Sequence, residues 1–94
     1  MITNLIVTGY CCCTICCGSH PSGLTASGKK PVEGITIAAN RQYPFGTKIA
    51  INGHTYLVQD RLAKRYDSRV DIYFNRHSDA KKFGIHHYDV TISK

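Results

Sequence analysis

Short runs of apolar and β-branched residues, separated by turn residues, recur along the chain and predict strands rather than long helices. Apolar and polar positions alternate over residues 47–51, directly before Asn52-Gly53. This dipeptide predicts a tight hairpin, because both positions of a type I′ turn need positive φ. We therefore expect six strands, at residues 5–10, 35–39, 47–51, 54–59, 70–74 and 88–93.

One short helix is predicted over residues 78–84. Ser78 is a favourable N-cap, Asp79 suits the first turn of a helix, and Gly84 is a typical stop. Several short strands and a single helix in 94 residues favour a small closed barrel, because closure removes exposed sheet edges. The chain is too short for a second domain, so residues 1–94 are predicted to form one mainly-β domain.

The charge and hydropathy of the chain limit the kinds of partner that it is expected to bind. The formal net charge of +6 favours contact with anionic partners such as nucleic acid, acidic glycan or cell wall. No stretch approaches the roughly 20 apolar residues that span a bilayer, so no membrane insertion is predicted. Residues 1–7 are too short and too uncharged for a signal peptide, and the sequence makes no prediction of oligomeric state.

All five cysteines lie within residues 11–17, so disulfides among them cannot join distant parts of the fold. Cys13 and Cys16 have the CxxC spacing of redox pairs and zinc sites, but a closed zinc site usually draws its ligands from two separated clusters. His20 is the only nearby histidine, and we predict no metal ion and no other cofactor. The sequence is compatible with local disulfides and with buried thiols. A nucleophilic cysteine would need a base, and the sequence does not place a histidine beside it.

Two aspartates, Asp60 and Asp71, lie in otherwise apolar stretches. Burial and a second carboxylate nearby both favour the protonated form of a carboxyl group, which is how a general acid is made near neutral pH. The alternative interpretation is structural: each carboxylate forms an ion pair with a neighbouring base such as Arg61, Arg65 or Arg69.

Ordered motifs over nearly the whole chain resemble the three-aspartate (Asp-Asp-Asp, or 3D) domain family. This family is similar to membrane-bound lytic transglycosylase A and to the stationary-phase survival muralytic domains, and the resemblance implies a double-psi β-barrel. Expansin-like and barwin-like modules share that fold, so the fold alone does not assign an activity. The motifs are Thr8-Gly9-Tyr10-Cys11, Cys16-Cys17-Gly18, Leu24-Thr25-Ala26-Ser27-Gly28, Ile37-Ala38-Ala39-Asn40, Pro44-Phe45-Gly46-Thr47-Lys48, Val58-Gln59-Asp60-Arg61, Val70-Asp71-Ile72-Tyr73-Phe74 and Ala80-Lys81-Lys82-Phe83-Gly84.

The resemblance also implies roles for individual residues. Asp71 matches the catalytic aspartate of the family and Asp60 matches the middle one. The first aspartate of the family pattern falls on Asn40, whose amide can still hydrogen-bond a sugar hydroxyl or an acetamido group. Thr25 and Lys48 match positions close to the family's groove, as a hydroxyl donor and as a cation near the developing charge.

The implied activity is that of a peptidoglycan lytic transglycosylase. Such an enzyme cleaves the β-1,4 bond between N-acetylmuramic acid and N-acetylglucosamine without water and leaves a 1,6-anhydro product. Its partner would be the glycan strands of peptidoglycan, outside the cell or in the cell envelope, and the protein could come from a bacterium or a phage. Two alternatives stay open: a non-catalytic, expansin-like glycan-binding module, which Asn40 favours, and nucleic-acid binding by the basic run 61–69, which rests on charge alone.

Overall fold

The computed structural model describes residues 2–11, 27–62 and 68–93. These residues are mainly strands, with one short helix, and the predicted fold class is confirmed. The elements are, in chain order, β1 (Ile2–Tyr10), β2 (Thr36–Ala39), β3 (Lys48–Ile51), β4 (His54–Arg61), β5 (Arg69–Tyr73), α1 (His77–Phe83) and β6 (His86–Ser93).

The six strands close into a barrel in the order β1-β5-β2-β4-β3-β6. The pairs β1–β5 and β2–β4 are parallel, and the other four pairs are antiparallel. Strand β5 therefore lies between β1 and β2, and β2 lies between β4 and β5. In each case the two flanking strands run antiparallel to one another and are consecutive in the chain, so the order corresponds to two interlocking psi motifs.

Alternate residues of each strand fill the barrel, as expected for strands with one buried face. Each fully buried aliphatic side chain stabilises the fold by about 1.5–3 kcal/mol relative to an exposed one. The side chains inside the barrel are therefore the main source of stability. The largest fully buried aliphatic residues are Val7, Ile37, Ile49, Val58, Val70 and Val90.

The hairpin between β3 and β4 has the predicted turn. Asn52 and Gly53 have φ angles of 55° and 83°, so both turn positions have the positive φ that a type I′ turn needs. All six predicted strands are present, although their ends differ from the prediction by up to three residues.

Helix α1 corrects one prediction. It begins at His77 with Arg76 as its N-cap, and no side chain caps it, so the prediction of Ser78 as the N-cap was wrong. The Arg76 carbonyl accepts the amide hydrogens of Asp79 and Ala80, each at 3.1 Å. Gly84 ends the helix with a φ of 76°, which confirms the predicted stop.

Packing on β1 fixes the position of the helix. Gly9 of β1 lies directly under it, because a Cβ atom there would come within 2.8 Å of the Ala80 carbonyl oxygen and 2.9 Å of the Phe74 ring. A larger residue would push the helix away from the barrel. Gly9 thus allows the helix to lie against the end of β1.

Candidate functional site

Asp60 and Asp71 lie on either side of one residue, Ala38. Asp71 of β5 is in register with Ala38 across an antiparallel pair, and Asp60 of β4 is in register with it across a parallel pair. Residues in register on adjacent strands project to the same face of a sheet. The two aspartates therefore share the face opposite the barrel core, with their Cα atoms two strand spacings, about 10 Å, apart.

A β-bulge places Asp60 in this row. The register of β2 against β4 runs Ile37 with Val58 and then Ala38 with Asp60, so Gln59 is the extra residue of β4. Without the bulge, strand alternation would put Asp60 on the face that Val58 uses to fill the core. The side chain of Gln59 accepts a hydrogen bond from the Thr36 hydroxyl at 2.6 Å, which holds the bulge on the outer face.

Asp71 is buried and held by two side chains. The Thr8 hydroxyl, in register with it on β1, donates a hydrogen bond to Asp71 Oδ1. Arg69 places its Nε atom 2.8 Å from Oδ1 and its Nη2 atom 3.3 Å from Oδ2. The ion pair between Asp71 and Arg69 expected under the structural interpretation is thus present, with the Asp71 side chain only 10% exposed and that of Arg69 30% exposed.

Asp60 is half-buried, and two neutral groups donate to it. The Tyr10 hydroxyl donates to Asp60 Oδ2 at 3.0 Å, and the backbone N–H of Arg61 donates to Asp60 Oδ1 at 2.9 Å. Strand β1 therefore supplies a hydroxyl donor to each carboxylate, Thr8 to Asp71 and, two residues later, Tyr10 to Asp60.

The Arg61 side chain extends toward the turn after β2. Its Nη1 atom donates to the Tyr43 carbonyl at 2.8 Å, and its guanidinium carbon lies 4.0 Å from the centre of the Phe45 ring. Burial, followed by the nearby positive charge of Arg41, lowers the pKa of Arg61, and Asp60 opposes this shift. The guanidinium of Arg61 is thus influenced by charges of both signs, those of Arg41 and Asp60.

A small apolar cluster separates the two carboxylates. Tyr10, Tyr73 and Ala38 pack together, with Leu62 against them. The Tyr10 and Tyr73 rings meet edge to face, with centroids 5.5 Å apart. Because Ala38 is small, the Tyr10 ring can lie over β2 and reach Asp60. Both tyrosines are under 10% exposed, so they shape the site rather than offer open stacking faces.

The remaining predicted site residues are less central. Asn40 follows the end of β2, and its Oδ1 atom accepts the Gln42 backbone N–H at 3.1 Å, which stabilises the turn that follows. Lys48 is exposed at the start of β3 and lies three strands from Asp71 around the barrel, so it is not adjacent to that carboxylate. Thr25 lies outside the described residues.

Sequence reasoning missed three residues of this site. Thr8 and Tyr10 carry the pattern of an ordinary strand, and only the parallel pairing of β1 with β5 makes their hydroxyls relevant. Ala38 can be recognised as the residue between the two aspartates only after the register of β2 against β4 and β5 is known. Among the described residues the ion pair found is Arg69–Asp71, and Arg65 lies outside the described residues.

A thiol and an imidazole also meet near the end of β1. Cys11 Sγ lies 3.6 Å from His77 Nδ1, and the Cys11 side chain is buried. The sequence did not place a histidine beside any cysteine. The other four cysteines and His20 lie outside the described residues, and within residues 2–11, 27–62 and 68–93 no three potential metal ligands cluster.

The fold and the site define a small six-stranded barrel that carries two carboxylates in one row on its outer face. No protein-family model and no curated protein matches the chain. Within the described ranges, no helix has the length and apolar character needed to cross a membrane. The function therefore has to be argued from the site itself.

Proposed function

We propose that this domain is a peptidoglycan lytic transglycosylase that cleaves the β-1,4 bond between N-acetylmuramic acid and N-acetylglucosamine. The observation that carries the proposal is the row of Asp71, Ala38 and Asp60 on one face of a closed barrel. Its sequence motifs resemble the 3D domain family, in which Asp71 matches the catalytic residue. The positive net charge of +6 suits an anionic wall polymer at the cell envelope or outside the cell.

In this proposal Asp71 acts first as an acid and then as a base. Its proton passes to the glycosidic oxygen, which leaves as the 4-hydroxyl of N-acetylglucosamine. The resulting carboxylate accepts the proton of the C6 hydroxyl of muramic acid as that oxygen bonds to the anomeric carbon. The bond between the anomeric carbon C1 and the glycosidic oxygen breaks, the bond between C1 and the C6 oxygen forms, and Asp71 regains its proton. Glycoside hydrolases instead normally use two carboxyl groups and a water molecule.

The site requires Arg69 to move during this cycle. A carboxylate in an ion pair carries no proton, whereas a general acid must carry one. The Arg69 side chain is 30% exposed, so it can swing out to solvent when the glycan enters. Asp60 would then orient the substrate together with Tyr10. We propose that Asn40 contacts an acetamido group near the end of β2, that Lys48 binds the glycan farther from the bond, and that Thr25 also binds the glycan.

A second candidate function is a non-catalytic glycan-binding module of the expansin type. The observation that favours it is the ion pair itself, because both Asp71 oxygens face Arg69 nitrogens. Asn40, which provides no carboxylate and stabilises a turn, is consistent with it. In this case the same face would bind glycan strands and release no product.

Mass spectrometry of muropeptides separates these functions. Purified sacculi are incubated with the wild type, with Asp71→Asn and with Asp89→Asn, a matched control at an exposed position of β6. We expect 1,6-anhydro muropeptides from the wild type and the control, and at least about 100-fold less from Asp71→Asn. If all three proteins bind sacculi and none releases anhydro products, the domain is a binding module. Binding of nucleic acid in preference to sacculi at physiological salt would contradict both functions.

A further inference from the structure

A cleft with a volume of about 370 Å³ lies beside α1, and neither aspartate of the row lines it. This volume is at the lower end of the range of small-molecule sites, about 300–1,000 Å³. The residues come from three parts of the chain: the turn before β2, the end of β5 and one face of α1. The lining residues are Glu33, Phe74, Asp79, Lys82 and Phe83.

Two aromatic rings form the apolar part of the cleft. Phe74 and Phe83 are partly buried and pack against the barrel core, with ring centroids 5.4 Å apart and a tilt of 42°. Gly9 admits the Phe74 ring, because a Cβ atom there would lie 2.9 Å from it. The rings are thus fixed by packing and form a ready surface for an apolar part of a ligand.

Charges of both signs surround these rings. Asp79 and Lys82 are exposed and lie one helical turn apart on the same face of α1. Glu33 lies across the cleft and is held by the Asn75 backbone N–H, which donates to Glu33 Oε1 at 2.9 Å. Among the described residues the ion pair found is Arg69–Asp71, so the three charges of the cleft are not paired with one another.

We infer that this cleft binds a short peptide segment that carries both an ammonium group and a carboxylate. Asp79 and Glu33 would accept the ammonium group, Lys82 would bind the carboxylate, and the methylene groups between them would lie on the two rings. A neutral sugar would leave these charges unused. The cleft has two acidic residues and one basic residue, so it also disfavours a polyanion although the whole chain is basic.

A peptidoglycan stem peptide with a diamino acid meets this description. That assignment rests on the proposed function, because it takes the wall polymer as the substrate. The glycan would then lie along the aspartate row while its stem peptide occupies the cleft beside α1. Peptide binding itself follows from the cleft alone.

The test is a titration of the ¹⁵N-labelled chain with the synthetic tripeptide L-Ala-γ-D-Glu-L-Lys, followed by amide chemical shifts. We expect saturable shifts at the cleft residues. Acetylation of the lysine Nε atom, and separately amidation of the C-terminal carboxylate, should each weaken binding about tenfold, because each removes one charge-assisted interaction. Absence of saturable binding, or equal affinity for all three peptides, would overturn the inference.

Variants assign each charge to its partner. Asp79→Asn should reduce the effect of Nε acetylation, Asp79→Asn combined with Glu33→Gln should abolish it, and Lys82→Ala should abolish the effect of amidation. Lys81→Ala and Asp89→Asn are the matched controls, because both positions are exposed and neither lines the cleft. Both controls should bind the tripeptide as the wild type does. A loss of binding in the controls equal to that in the cleft variants would contradict the site.

This experiment is independent of glycan cleavage, because the tripeptide has no glycosidic bond. Asp71→Asn should bind it with unchanged affinity. Tripeptide binding by a wild type that releases no anhydro product would support the cleft and contradict the proposed enzyme. Release of anhydro product without tripeptide binding would overturn the inference about the cleft and leave the proposed function intact.

Discussion

Asp71 and Asp60 are in register with the same alanine, yet they are held in different ways. Asp71 is buried within regular strand pairing and bound by a charged partner, Arg69. Asp60 is half-buried near the end of β4 and is bound by the Tyr10 hydroxyl and a backbone N–H. Two carboxylates on one face can therefore differ in how strongly the fold depends on them.

The difference has a structural cause. Asp71 needs only the uninterrupted register of β5 against β2, whereas Asp60 needs the bulge at Gln59. A buried charge must be paired to be tolerated, and Asp71 meets this requirement through Arg69. Removal of groups around Asp71 should therefore have larger effects than removal of the equivalent groups around Asp60.

The largest expected effect is on activity. Asp71→Asn should reduce the release of anhydro muropeptides by about 100- to 10,000-fold, the usual contribution of a general acid. Asp60→Asn should reduce it only about tenfold, because Asp60 orients the substrate in the proposed mechanism. Initial rates on sacculi measure both effects, and circular dichroism checks the fold of each variant. Equal losses in the two variants would contradict the distinction between the carboxylates.

The next effect is on stability. Arg69→Ala should lower the free energy of unfolding by about 1–3 kcal/mol, because it leaves a buried carboxylate without its counter-ion and the partial exposure of Arg69 reduces the cost. Arg61→Ala should cost about 1 kcal/mol or less, because it removes one hydrogen bond and one ring contact. Urea denaturation measures both.

A double-mutant cycle provides the control for this result. If the Arg69–Asp71 pair is the cause, Arg69→Ala should cost less in an Asp71→Asn background than in the wild type. Equal costs in the two backgrounds would show that Arg69 stabilises the barrel through other contacts.

Local structure was predictable from the sequence where a residue type had a single strong conformational preference. Asn52-Gly53 gave the hairpin and Gly84 gave the end of the helix, because both depend on positive φ. Ser78 was misassigned as a cap because α1, which packs on Gly9 of β1, begins one residue earlier, at His77, without a side-chain cap. Tertiary packing commonly overrides local preference.

The site was less predictable than the strands. Asp60 and Asp71 stood out because each is a charge in an apolar stretch, but the bulge that aligns them has no glycine or proline in residues 58–61 to signal it. The contact between Cys11 and His77 joins residues 66 positions apart. Such contacts depend on the parallel pairings of the barrel, which local periodicity does not reveal.

Smaller effects are expected from the two hydroxyl donors of β1. Thr8→Val removes a donor to the buried Asp71 and should cost about 1–2 kcal/mol, whereas Tyr10→Phe removes a donor to the half-buried Asp60 and should cost about 0.5–1.5 kcal/mol. Thr91→Val, at an exposed position of β6, is a matched control with an expected change within about 0.5 kcal/mol. Thermal and urea denaturation measure these values. A larger loss of unfolding free energy in Tyr10→Phe than in Thr8→Val would contradict the view that the fold depends more on the contacts of Asp71 than on those of Asp60.

The smallest effect is expected at Asn40, where the 3D family pattern that the sequence resembles has its first aspartate. An aspartate at this position can accept the Gln42 backbone N–H as Asn40 does, because both residues form this type of turn. Asn40→Asp should therefore change the free energy of unfolding by less than about 0.5 kcal/mol. If the residue at position 40 orients the substrate, Asn40→Asp should change initial rates on sacculi less than about threefold. A rise of about tenfold, equivalent to about 1.4 kcal/mol of barrier, would show that a carboxylate there assists Asp71, and that this chain is a weakened enzyme.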